Sequence, residues 1–218
     1  MTSLPPSALR IHVVDDDASF RKALGRLLEA LGHPVALYDS AQAFLHTVQA
    51  DEPGCILLDV DMPGLSGLQL QEHLGRMSNP LPVIFLTGHG DVAMSVRAVK
   101  AGAEDFLLKP VARAQLLDAI ERAHRRSQAG RQDQLQRDDL QRRLDSLTPR
   151  EREVFGMVVQ GLLNKQIAYQ LGNSERTVKA QRHSVMEKMQ VATLAELVMV
   201  ATRLCLPEAL LAAARVTP

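Results

Sequence analysis

Four apolar runs in the first half of the chain, Ile11–Val14, Cys55–Leu58, Val83–Leu86 and Phe106–Leu108, each stop at a polar residue. A fifth, Val35–Tyr38, lies between the first two. Short β-branched and leucine-rich runs of this kind make strands buried on both faces of a parallel sheet. Between them Ser19–Leu31, Ala41–Gln49, Gly67–Arg76 and Val92–Ala101 space their apolar residues as helices do, and Arg113–Arg126 follows the last strand. The alternation predicts a doubly wound α/β domain with a five-stranded parallel sheet. Ligands bind such sheets at the carboxyl ends of the strands. Asp15, Asp16, Asp59, Asp61, Thr87 and Lys109 are therefore expected around one crevice. Clustered carboxylates repel one another unless a cation sits among them, and a lysine with a hard divalent metal meets that need.

A chain of 218 residues suffices for two modest domains. Its 46% hydrophobic and 23% charged residues suit a soluble globular protein. No apolar run approaches the roughly 20 residues of a bilayer span, and no signal-peptide pattern opens the chain. A cytoplasmic location without a membrane partner is expected, with residues 1–7 a disordered lead. Cys55 and Cys205 fall in apolar segments of different halves and are expected as core thiols rather than a disulfide. The zero net charge hides an asymmetry. Residues 1–123 hold 10 Lys/Arg against 15 Asp/Glu, and residues 124–218 hold 15 against 10. A basic second half points to a polyanionic partner.

Residues 124–143 are rich in Gln, Arg and Asp, and with Leu135, Leu140, Leu144 and Leu147 they read as a helical linker of which one end packs. Thr148-Pro149-Arg150-Glu151 is a capping box opening a new domain. Gly161 should end its first helix. Asn164 should cap a second, Lys165–Leu171, and Gly172-Asn173 should turn the chain into a third helix capped by Ser174 and reaching Met189. That short turn between two helices is a helix-turn-helix signature. Thr193–Leu204 is expected as a fourth helix.

These motifs resemble a known family over nearly the whole chain. Residues 10–123 are similar to the receiver domain of two-component response regulators. The run TGHGDVAMSVRAVKAGAEDFLLKP at 87–110 is close to the NarL/FixJ branch, FixJ-type regulators above all. Residues 144–205, with LTPREREV and NKQIAYQLGNSERTVKAQRH, resemble the LuxR-type helix-turn-helix, so a DNA-binding domain is expected over 144–209. The resemblance implies that Asp59 accepts a phosphoryl group from a sensor histidine kinase, aided by Thr87 and Lys109. It implies Mg2+ (or Mn2+) held by Asp16, Asp59 and the backbone carbonyl of Asp61, with Asp15 bound through water. Phe106 would be a switch residue. His89, two residues after Thr87, is either at the phosphate rim or a plain loop histidine. Such a protein is not an enzyme beyond slow self-dephosphorylation. It forms a homodimer when phosphorylated and binds a double-stranded DNA operator, with RNA polymerase a further partner.

In the output half, Lys165, Ser174, Arg176, Thr177, Lys179, Arg182, His183 and Lys188 are the candidate DNA contacts, and Val178, Val185 and Met189 belong to the core. Two residues depart from the family pattern: Asn173 stands where Val or Ile is usual, and Gln181, where His is common, would alter base reading. The alternative is a haloacid-dehalogenase-like Mg-dependent phosphatase using Asp59 and Asp61. In that family an acidic pair follows the lysine, whereas here nothing acidic follows Lys109 until Asp118, and no cap domain is inserted.

Overall fold

The computed structural model describes residues 9–48, 53–76, 81–88 and 92–204. Residues 1–7, Gln49, His89 and Cys205 through 209, about which the sequence raised expectations, lie outside that set. Elements follow in the order β1 (Arg10–Val14), α1 (Ala18–Ala30), β2 (Val35–Tyr38), α2 (Ala41–Thr47), β3 (Gly54–Asp59), α3 (Gly67–Leu74), β4 (Val83–Thr87), α4 (Val92–Lys100), β5 (Asp105–Leu108) and α5 (Arg113–Asp145). Four more helices follow: α6 (Pro149–Val159), α7 (Asn164–Leu171), α8 (Glu175–Lys188) and α9 (Leu194–Arg203). The chain forms two compact units, Met1–Gln132 and Asp133–Pro218.

The five strands pair in parallel in the order β2-β1-β3-β4-β5. The period-2 alternation of a strand sends successive side chains to opposite faces. Ile11, Val13, Cys55, Leu57, Ile84 and Leu86 pack with α1 and α5, while Val14, Ile56, Leu58, Val83 and Phe85 pack with α2, α3 and α4. Helices cover both faces, which makes the sheet doubly wound. Cys55 is fully buried, and burial pushes its thiol up to about 12, so it is an inert core group.

The second unit packs Leu144, Leu147, Val154, Phe155, Ile167, Val178, Val185, Met189 and Leu197 into one core. Thr148 and Glu151 form the expected reciprocal cap on α6, with Pro149 in its first turn. Gly172 ends α7 at φ 62°, a left-handed conformation that a Cβ would strain. Ser174 caps α8.

Two expectations change. Arg113–Asp145 is one 33-residue helix rather than a short helix and a separate linker, since Gly130 alone is too weak a breaker. Within it Leu140 and Leu144 are buried and Leu135 is exposed, so one end packs, as the leucine pattern suggested. Asn164 does not cap α7 but is its first residue. The extended residue before the helix is Leu163, whose N–H is bonded by Gln166 Oε1 at 2.8 Å.

Candidate functional site

The sheet order reverses between β1 and β3: from β1 the chain runs to β2 on one side and then to β3 on the other. That switch point opens a crevice at the carboxyl ends of the two strands. Val14 pairs with Leu58 and Leu86 with Asp59, so Asp15 and Asp59 end neighbouring strands and Thr87 ends the next. Thr87 pairs with Leu108, which sets Lys109 one residue beyond β5, its N–H on Thr87 O at 2.7 Å. The Lys109–Pro110 peptide is cis.

Lys109 Nζ donates to Asp15 Oδ2 at 2.6 Å and to Asp59 Oδ1 at 2.7 Å. The other oxygen of each acid accepts a backbone N–H, Asp17 N on Asp15 Oδ1 at 2.9 Å and Asp61 N on Asp59 Oδ2 at 3.0 Å. Asp15 is 1% exposed and Asp59 6%, so neither carboxylate relies on bulk water. One ammonium thus serves two buried acids. Burial pushes the Asp59 carboxyl above its ordinary value, the Lys109 bond opposing and the Asp15 charge reinforcing the rise. Burial works against the Lys109 ammonium, but the bonds and charges of Asp15 and Asp59 outweigh it and raise its pKa. The two directions agree: Lys109 has anions in excess, and Asp59 has less positive charge beside it than its burial calls for.

That deficit is what a hard cation would fill. Among the described residues no three acidic, histidine or cysteine side chains are gathered as a metal cage. The donors that would serve are instead the Asp59 carboxylate, the exposed carboxylate of Asp16, next in sequence to Asp15, and the backbone carbonyl of Asp61. An all-oxygen set with few protein ligands suits Mg2+, which keeps several of its waters. The residues therefore fit the ion.

Asp17 caps α1, accepting Ser19 N at 2.8 Å and Phe20 N at 3.1 Å. Phe106 is half-buried, its ring tilted against Phe85 with centroids 6.1 Å apart. Thr87 is buried. Three contributors escaped the sequence reading. Phe20 places its ring 4.2 Å below the Lys109 ammonium. Arg21 Nη1 holds the Asp15 carbonyl. Gly67 lets α3 begin against the Asp59 backbone, where a Cβ would come within 2.2 Å of the Asp59 carbonyl oxygen. The first turn of α1, next in sequence to Asp15, was the available signal for Phe20 and Arg21.

In the second unit, Arg176, Lys179 and His183 are exposed on α8, with Ser174 and Thr177 at its start and Lys165 on α7. Val178, Val185 and Met189 are fully buried, as expected. Lys188 is placed otherwise than expected: its ammonium turns into the fold, onto Glu151 Oε2 at 2.6 Å and Ser146 O at 3.4 Å. Glu151 also accepts from Ser184 Oγ at 2.6 Å. Bonds from Lys188, Ser184 and the Thr148 N–H hold its carboxyl down to about 2. Gln181 is half-buried, with Oε1 inside the domain, which removes it from the outward row expected to read bases. Arg182 is half-buried and bonds Asn164.

Comparison with known proteins matches residues 11–121 to the response regulator receiver domain and residues 145–201 to the luxR family of bacterial regulatory proteins. The chain is 44% identical over 188 residues to Nodulation protein W of Bradyrhizobium diazoefficiens, covering 86% of this chain and 83% of that one. It is 45% identical over 197 residues to the transcriptional regulatory protein FixJ of Azorhizobium caulinodans, covering 90% and 93%. Among solved structures, the response regulator StyR matches with a TM-score of 0.75 at 44% identity, over 89% of this chain and 98% of that one. Full-length FixJ from B. japonicum matches with a TM-score of 0.54 at 40% identity, over 92% and 98%.

Proposed function

The chain belongs to the two-component response regulators that join a receiver domain to a LuxR-type DNA-binding domain, and from that membership we propose that Asp59 is its phosphoacceptor and that phosphorylation there governs operator binding. Receiver domains take their phosphoryl group from a histidine kinase, so a sensor kinase and DNA are the partners. The observation that carries the assignment is the single ammonium of Lys109 bridging Asp15 and Asp59 at the switch point. Nothing favours the phosphatase alternative.

In this reading an Asp59 carboxylate oxygen attacks phosphorus, the P–N bond of the kinase phosphohistidine breaks, and the imidazole leaves with the electron pair. Lys109 is placed to follow the charge from the carboxylate to the phosphoryl oxygens. The Asp61 N–H keeps the carboxylate plane oriented. Thr87, at the end of the adjacent strand, supplies a hydroxyl to the phosphoryl group. Asp16, Asp59 and the Asp61 carbonyl would hold Mg2+ (or Mn2+), with Asp15 behind a water. When bound, the ion neutralises charge on the attacking and transferring oxygens. Slow loss of the phosphoryl group to water is the only turnover assigned, and the Asp61 carboxylate would orient that water.

We assign the receiver to residues 10–123, the linker to 124–143 and the output domain to 144–209. In support, the receiver's apolar core runs to Ala123 and that of the output domain starts at Leu144. Lys165, Ser174, Arg176, Thr177, Lys179, Arg182 and His183 are the DNA-facing set. Lys188 leaves that set for the fold. A cytoplasmic location fits the absence, among the described residues, of any helix long and apolar enough to cross a membrane. A phosphorylated homodimer, with RNA polymerase as a further partner, completes the proposal. The test is incubation with acetyl phosphate and Mg2+, followed by mass mapping and DNA binding. Phosphorylation at Asp59 with tighter binding supports the reading, and phosphorylation at any other residue overturns it.

A further inference from the structure

Arg182 Nη1 donates to Asn164 Oδ1 at 3.2 Å, a contact from the recognition helix α8 to the first turn of α7. Because the capping role at α7 falls to Gln166 and Leu163, the Asn164 amide is not used on its own helix end. A guanidinium carries five N–H donors in one plane and accepts nothing. One bond to Asn164 therefore orients the plane and leaves donors for an acceptor beyond the protein.

Helix geometry indicates which acceptor. With about 100° per residue, the buried Val178 and Val185 mark the inward direction of α8, and the exposed Arg176, Ala180, His183 and Glu187 the outward one. Arg182 lies about 50° from the inward direction and about 130° from the outward one, half-buried at the rim of the core face, where its long side chain runs out along the first turn of α7. Outward residues of a recognition helix reach base edges, whereas a flanking one meets the groove wall, which is made of phosphates. Lys165, exposed beside Asn164, adds positive charge at the same turn.

Resting on the DNA-binding reading above, we propose that Asn164 is a positioning residue that acts through Arg182, holding its guanidinium for a bidentate contact to one DNA phosphate beside the major groove. Arg182 then contributes affinity and register, not base choice. Prior orientation spares the complex the cost of ordering a rotamer-rich side chain at the moment of binding. The neutral amide suits this task, since a carboxylate at 164 would form a closed ion pair and compete with the phosphate.

Phosphates are present in any duplex, so the test uses the full chain with acetyl phosphate and Mg2+ on a random-sequence duplex and on a duplex selected by the protein. Affinity is measured against salt. Arg182→Gln is expected to reduce the logarithmic salt slope by about one and to weaken both duplexes by the same factor. Asn164→Ala should weaken binding several-fold in the otherwise wild-type chain and change nothing in the Arg182→Gln background. Asn164→Asp should also bind more weakly while unfolding at the wild-type temperature. Additive losses in the double variant would overturn the proposal, because Asn164 would then act on the fold. So would an Arg182→Gln loss confined to the selected duplex with an unchanged slope, the mark of a base contact. A wild-type chain that binds neither duplex would instead sink the DNA-binding reading itself.

Discussion

The ammonium of Lys109 stands 2.7 Å from Oδ1 of Asp59, although the two residues are 50 positions apart in the chain. The contact compensates the carboxylate only in part, since Lys109 divides its charge with Asp15. Asp59→Asn keeps the shape and removes the nucleophile. With acetyl phosphate and Mg2+, the wild-type chain should gain the mass of one phosphoryl group, and the variant none.

Shortage of positive charge at this site makes it a place where a divalent ion should stabilise the fold. Binding to the folded state alone adds about 2.7 kcal/mol at a ligand concentration of 100 Kd. Millimolar Mg2+ should therefore raise the thermal midpoint of the wild-type receiver. Asp16→Asn and Asp59→Asn should each remove most of that rise. An equal rise in all three proteins would place the ion elsewhere.

Asp15, Asp59, Thr87 and Lys109 were legible in the sequence because each follows an apolar run, and parallel strands carry their ends to one edge. The capping box of Thr148 and Glu151 and the buried face of α8 were legible for a similar reason: they depend on residues three or four apart. Asn164 and Lys188 were not. A residue before a helical pattern reads as a cap, and a lysine on a basic helix reads as a DNA contact. Only the fold says otherwise: Leu163 and Gln166 start α7, and Glu151 takes the Lys188 ammonium. The continuity of α5 escaped because composition changed along it while its helix propensity did not.

His33 and His124 meet ring to ring, centroids 5.8 Å apart, at the far end of the sheet from the acids. Burial lowers the pKa of His124 below the ordinary 6.5, and the charge of His33 lowers it further. The unfolded chain then binds a proton that the folded chain refuses. This contribution to stability is present above pH 6.5 and is lost progressively as pH falls below it. Denaturant unfolding from pH 8 to pH 5 should show receiver stability declining below about pH 6.5. His124→Leu should flatten that decline, and a profile unchanged by the substitution would assign it to other groups.

Glu151 ties the start of α6 to the end of α8 through Lys188 and Ser184. Its folded pKa of about 2 lies below the unfolded 4.5, so its contribution is present above pH 4.5 and is lost as pH falls toward 2. Removing the ammonium leaves a carboxylate of low exposure without its partner. Lys188→Met should cost about 1–3 kcal/mol of output-domain stability, discounted for the partial exposure of the lysine. The salt slope of DNA binding, measured where the domain remains folded, should stay at the wild-type value. A slope lower by about one would return Lys188 to the DNA-facing set.

The α4–β5 surface is the place to test phosphorylation-dependent dimerisation. Val96 is 45% exposed, Val99 55% and Leu108 55%, more apolar surface than two adjacent elements of a monomer need to show. In the fold, Arg122 binds Asp105, Asp118 and Glu104 of its own receiver, so reversing Asp105 would damage the monomer. The informative variant is Val99→Glu, which adds a charge at an exposed helix position and disturbs no internal pair. Sedimentation of the wild-type chain should show a monomer alone and a dimer with acetyl phosphate and Mg2+. Val99→Glu should be phosphorylated normally, remain a monomer and bind a two-half-site operator more weakly, because it loses the raised effective concentration of the second domain. A Val99→Glu protein that still dimerises on phosphorylation would move the interface off this surface.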